Sequence, residues 1–142
     1  LNFLPYICDM TKINSRLHKL SADQINSIVE NTILWCQENV GVNNRRKNPF
    51  QVRVDTISID AMGEFNYKTN TIAVYTWVHF TPAQLIRTLL HEYTHYMQPI
   101  RSYYNKMARV HKYYSRHPME RQAVRMERLY KMCWEDIRKK VQ

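Results

Sequence analysis

Glycine is nearly absent from this chain. Its 142 residues include two, Gly41 and Gly63, and neither sits in a GxGxxG or GxxxxGK[ST] pattern. Phosphate-cradling glycine loops are therefore excluded, as are collagen-like and Gly-rich linker architectures. Cysteine is scarce too. Cys8, Cys36 and Cys133 are odd in number and show no CxxC spacing, which argues against a disulfide framework and a cysteine-based zinc knuckle. Reduced, buried thiols suit an intracellular protein. No apolar run reaches the ~20 residues of a membrane span. The first twenty residues carry Asp9, Lys12, Arg16 and Lys19 and no continuous apolar stretch, so no signal peptide is legible. The chain starts at Leu1, and whether residues precede it is open.

What is present reads as one globular domain spanning 1–142, with its core over about 21–140. Hydrophobic residues make up 44% and charged residues 23%, which is too apolar for a disordered chain. The charge is lopsided. Residues 1–98 hold 9 basic and 8 acidic side chains, whereas residues 99–142 hold 12 and 4. A field concentrated in the last third attracts nucleic acid or an acidic partner, unless it is simply a solvated helix face.

Periodicity outlines the elements. Ser21 and Gln24 have capping-box spacing, and Ile25, Ile28, Val29, Ile33 and Cys36 recur as one helical face, predicting a helix over about 22–40 with Gly41 as its stop. Phe50, Val52 and Val54 alternate with polar residues as a strand, whose phase shifts at Thr56–Ile57. Residues 64–67 and 71–78 read as two further strands, with Lys68-Thr69-Asn70 as the turn between them. Thr81, Pro82 and Gln84 open a second helix running to about 98, where Pro99 ends it. Residues 100–116 are aromatic and basic, a composition that predicts a partly helical segment. Pro118 opens a last helix, with Met119, Ala123, Met126, Tyr130, Cys133 and Ile137 on one face. The order predicts an α+β fold.

Within the second helix lies His91-Glu92-Tyr93-Thr94-His95, an HExxH sequence. Four residues advance a helix by about 400°, so the two imidazoles share a face and can grip one zinc ion. Glu92 points about 100° away, beside the metal, where a carboxylate can take a proton from water. The bland alternative is two histidines satisfied by core hydrogen bonds. A catalytic zinc needs a third protein ligand. The metzincin continuation fails, because Gln98 and Arg101 occupy its Gly and third His positions. The candidates are His111, His117 and Glu120. Glu120 is preferred: it lies in the first turn of the last helix, where the dipole favours a carboxylate, and Ala123 on the same face allows close helix approach. His117 is the rival, and His111 reads as a surface or outlying group. Tyr103, Tyr104, Tyr113, Tyr114, His111 and His117 are all candidate donors to an oxyanion.

On these residues the chain resembles a small zincin metallopeptidase of the gluzincin type. The matching pieces are GEFNYKTNTIAVYT (63–76), HEYTHYMQ (91–98) and HPMERQA (117–123). The last resembles the Glu-bearing helix of ImmA/IrrE-type proteases, and SprT-like proteases share the layout. The resemblance implies a small antiparallel or mixed sheet, a zinc ion held by His91, His95 and Glu120, and peptide hydrolysis with Glu92 as general base. It also implies that the strand near 71–76 is the edge strand along which an extended protein or peptide substrate pairs, with Ala73 and Tyr75 towards the cleft. Two departures stand out. Val124 occupies the position where a thermolysin-like pattern has Asp, leaving the group that orients the zinc histidines unidentified. His117-Pro118 stands where SprT-like chains place a His-Gly segment. Compact zincins also occur in phage, so a viral source fits the resemblance. The competing expectation is a zincin-fold relic that binds nucleic acid or an acidic partner through the basic last helix, either alone or within a larger assembly.

Overall fold

The structure is a computed structural model, and it describes residues 20–56, 61–76, 81–99, 105, 109 and 117–141. The expectations placed on Cys8, Tyr103, Tyr104, His111, Tyr113 and Tyr114 lie outside these residues.

The fold is α+β. Among the described residues there are four helices and a small mixed sheet of three strands: α1 (Ala22–Asn39), β1 (Gln51–Asp55), β2 (Gly63–Asn66), β3 (Thr71–Tyr75), α2 (Pro82–Met97), α3 (Pro118–Glu127) and α4 (Tyr130–Ile137). Both capping boxes form. The Gln24 N–H donates to Ser21 Oγ at 3.1 Å, and the Ser21 N–H donates back to Gln24 Oε1 at 2.9 Å. Thr81 and Gln84 repeat the exchange at 3.1 and 2.8 Å. Each box satisfies two amide donors that a helix start would otherwise leave unpaired. Gly41 follows α1 with φ of +114°, a region a side chain would disfavour.

Strand order is β1-β3-β2, with β1 parallel and β2 antiparallel to β3. This corrects the sequence reading in one respect: the strand near 71–76 is central, not an edge. Its two sides are used by β1 and β2, so no peptide can add to it, and the edges of the sheet are β1 and β2. Tyr75 is buried and its hydroxyl donates to Glu64 Oε1 of β2 at 2.7 Å. The β2–β3 turn falls where expected. Asn66 Oδ1 accepts from the amides of Lys68 and Thr69, and Asn70 takes a positive φ of 54°, which asparagine tolerates.

Ile72 and Val74 of β3 meet α2, whose Leu85, Ile86, Leu89 and Leu90 are fully buried. Each such side chain contributes roughly 1.5–3 kcal/mol by leaving water. α1 adds Ile28, Val29, Ile33, Trp35 and Cys36 to the same core, and α4 adds Cys133, Trp134 and Ile137. Trp35 Nε1 donates to Asp136 Oδ2 at 2.7 Å, tying α1 to α4. The single last helix expected from Pro118 onward is two helices. At Arg128 and Leu129 the amides reach back three residues, to Arg125 and Met126. This tight turn redirects the chain, so that α3 packs on α2 while α4 packs on α1 and α2.

Candidate metal centre

α2 is buried around much of its circumference, and its last two turns carry the HExxH residues. α3 lies against them. Ala123 is fully buried there, so the backbones approach closely and Glu120, one turn earlier, reaches both histidines. His91 Nε2 lies 2.8 Å from Glu120 Oε1, and His95 Nε2 lies 3.1 Å from Glu120 Oε2. The two Nε2 atoms are 3.3 Å apart. These three residues form a group able to hold a metal ion, with one donor atom from each lying within 4.8 Å of the others.

The opposite ring nitrogens are held as well. His91 Nδ1 donates to Glu127 Oε2 at 2.8 Å. His95 Nδ1 faces Gln98 Oε1 at 2.7 Å. The Gln98 amide nitrogen donates to the Met119 carbonyl at 2.9 Å and to Gln122 Oε1 at 2.8 Å, which fixes Oε1 towards His95 and makes His95 Nδ1 the donor. Both imidazoles therefore donate outward from Nδ1 and turn Nε2 to a common point, the ring orientation a metal requires. The donor set also fits on distance: two nitrogens on a tetrahedral zinc at about 2.05 Å stand about 3.3 Å apart.

Electrostatics follow from the crowding of carboxylates. Burial alone would lower the His91 pKa, but the hydrogen bond and charge of Glu120, supported by Glu127, outweigh it and push it up to about 9. Glu92 is buried on the same helix. Desolvation raises its pKa above the usual carboxylate range, His95 and His91 oppose that rise, and Glu120 and Glu64 add to it. Gly63 opens β2 beside this residue. A Cβ there would stand 3.6 Å from Glu92 Cγ and 2.6 Å from Thr88 Cγ2.

Of the expected site residues, His91, His95 and Glu120 come together and Glu92 lies on the adjoining helix face. His117 does not join them. It caps α3, its Nδ1 accepting from the Met119 amide at 3.1 Å, and it is outside the metal-competent group. Three contributors were not anticipated. Glu127 supplies the missing orienting group, seven residues after Glu120 rather than four. Gln98 does the same for His95. Arg46 Nη2 donates to the carbonyls of His95, Tyr96 and Gln98 at 3.3, 3.0 and 3.1 Å, satisfying the acceptors at the end of α2 and complementing its dipole. The Arg46 guanidinium also stacks 4.9 Å from the Phe65 ring. A cleft of about 510 Å³ opens beside His95, lined by Arg46, Phe65, Tyr67, Gln98 and Pro99 among others.

No protein-family model matches the chain, and no curated protein or solved structure matches it.

Proposed function

We propose that the protein is a zinc-dependent metallopeptidase of the gluzincin type, with His91, His95 and Glu120 as zinc ligands and Glu92 as general base. The observation that carries this reading is the convergence of both Nε2 atoms on Glu120 while both Nδ1 atoms are held by outer acceptors. Two histidines satisfied only by core packing would have no reason to aim both Nε2 atoms at one carboxylate while a separate acceptor holds each Nδ1. Bound zinc supplies Lewis acidity, lowering the pKa of water and polarising a carbonyl.

The chain's own residues supply the rest. Burial raises the proton affinity of Glu92, which suits a base that must accept a proton from water and return it to a leaving amine. Glu127 and Gln98 hold the imidazole rings against rotation, and Arg46 holds the helix end that carries Gln98. The outer side of β2 has no strand partner among the described residues. An extended peptide pairing there would pass Gly63, whose missing side chain lets β2 lie close against α2 at Thr88 and Glu92. The cleft beside His95 would then receive a side chain of that peptide.

The test is hydrolysis of a denatured protein or a peptide library by the zinc-loaded chain, with Glu92→Gln alongside. The variant should keep its zinc and lose at least about a hundredfold in rate, the scale of a lost general base. Equal hydrolysis by both would contradict the mechanism.

A further inference from the structure

Helix α3 separates its charges by face. Glu120 and Glu127 turn inward to His91, His95 and Arg87. Arg121, Arg125 and Arg128 are exposed and meet no carboxylate among the described residues. Their spacing of four and three residues places them within about 60° of one another around the helix. They extend about 10 Å along it. Exposed Lys131 continues the run onto α4. Of the four acidic residues in 99–142, Glu120 and Glu127 thus face inward while Glu135 and Asp136 on α4 are exposed, so the unopposed positive surface is the outer face of α3 and the start of α4.

We propose that this outer face of α3 binds the phosphate backbone of a nucleic acid. A guanidinium forks onto phosphate oxygens, and arginine rather than lysine supplies three of these four cations. A row of about 10 Å spans about three phosphates at the 3.4 Å rise of one strand. The apolar content of the face is two separated side chains, Val124 at 47% and Met132 at 58% exposure. That is too little to insert into a bilayer or to form the apolar centre of a protein interface. The arginine row lies about 120° around the helix from Glu120 and Glu127, so the bound phosphates and the metal centre use different faces of α3.

The experiment is fluorescence anisotropy with a labelled 20-base-pair duplex across about 50–200 mM salt, where affinity falls with a log–log slope of roughly −0.9 per phosphate neutralised. Wild type is compared with the Arg121→Gln/Arg125→Gln/Arg128→Gln triple variant. The slopes should differ by about 2.7, and wild-type affinity should fall at least about 40-fold over that range. The corresponding triple Arg→Lys variant should keep the wild-type slope, which separates charge from any effect on folding. Absence of duplex binding at low salt, or the same slope in the Gln variant, would overturn the proposal. So would tighter, arginine-dependent binding to phosphatidylserine vesicles or to polyglutamate than to the duplex.

Discussion

Zinc uptake by this protein should expel a proton, and its affinity should climb with pH. In the metal-free chain His91 donates to carboxylates from both ring nitrogens, and the pKa of about 9 follows from Glu120 and Glu127 overcoming burial. Zinc takes only the neutral ring. At pH 7, about two units below that pKa, roughly 1% of the chains present it, so apparent affinity should sit about 100-fold below its limit above pH 9. Affinity should rise about tenfold per pH unit between about pH 6 and 8. Competition with a chromophoric chelator measures the slope, and calorimetry in buffers of different ionisation enthalpy counts the proton. The same shift acts on stability in the opposite sense. A folded pKa above the unfolded 6.5 stabilises the metal-free chain fully below pH 6.5, and that contribution fades as pH rises through about 9. It amounts to about 3 kcal/mol at most. The raised Glu92 pKa has the same sign, since its ionisation in a buried site costs stability as pH rises. Zinc-loaded protein should show no such decline, because tighter binding at higher pH offsets it. A zinc affinity that is flat between about pH 6 and 8 would refute the reasoning, because it would mean that no proton competes for His91.

Two further predictions concern packing around the site. Gly63→Ala would bring a Cβ to 2.6 Å from Thr88 Cγ2 and 3.0 Å from the Ala73 carbonyl. It should cost about 1–3 kcal/mol in a urea melt and lower peptidase activity by moving β2 off Glu92. Adding Thr88→Ser should restore part of the stability, and no rescue would locate the strain elsewhere. Ala123→Leu forces α3 away from α2 at a fully buried position. It should destabilise by a similar ~1–3 kcal/mol and weaken zinc at least about tenfold in the chelator assay, because Glu120 and Glu127 move with the helix. Unchanged zinc affinity would show that close helix approach is not what sets the ligand geometry.

The parts of this account that were legible in the sequence are the local ones. A capping box, a proline at a helix start and the four-residue spacing of His91 and His95 are each decided within a turn or two of helix. Glu120 was reachable because its first-turn position and the small Ala123 one turn on are also local. The sheet order was not, since alternation in residues 71–75 reads alike in a central and an edge strand, and pairing depends on segments twenty residues away. The break at Arg128–Leu129 involves neither glycine nor proline. It is set by α4 packing on α1, through contacts such as Trp35 with Asp136. Glu127 lies two turns from Glu120 on the same face, so its signal was present. A pattern expecting a carboxylate four residues on pointed to Val124 instead, which is exposed on the outer side. Gln98 and Arg46 act through contacts that exist only once α2, α3 and the loop before β1 have met.

The most direct test of the central claim is the zinc content of the purified chain by elemental analysis, with Glu120→Ala measured beside it. The account predicts one zinc per wild-type chain and its loss, or weakening by several orders of magnitude, in the variant. A folded wild-type chain that takes up no zinc, or a variant that retains it fully, would contradict the assignment of His91, His95 and Glu120 as its ligands.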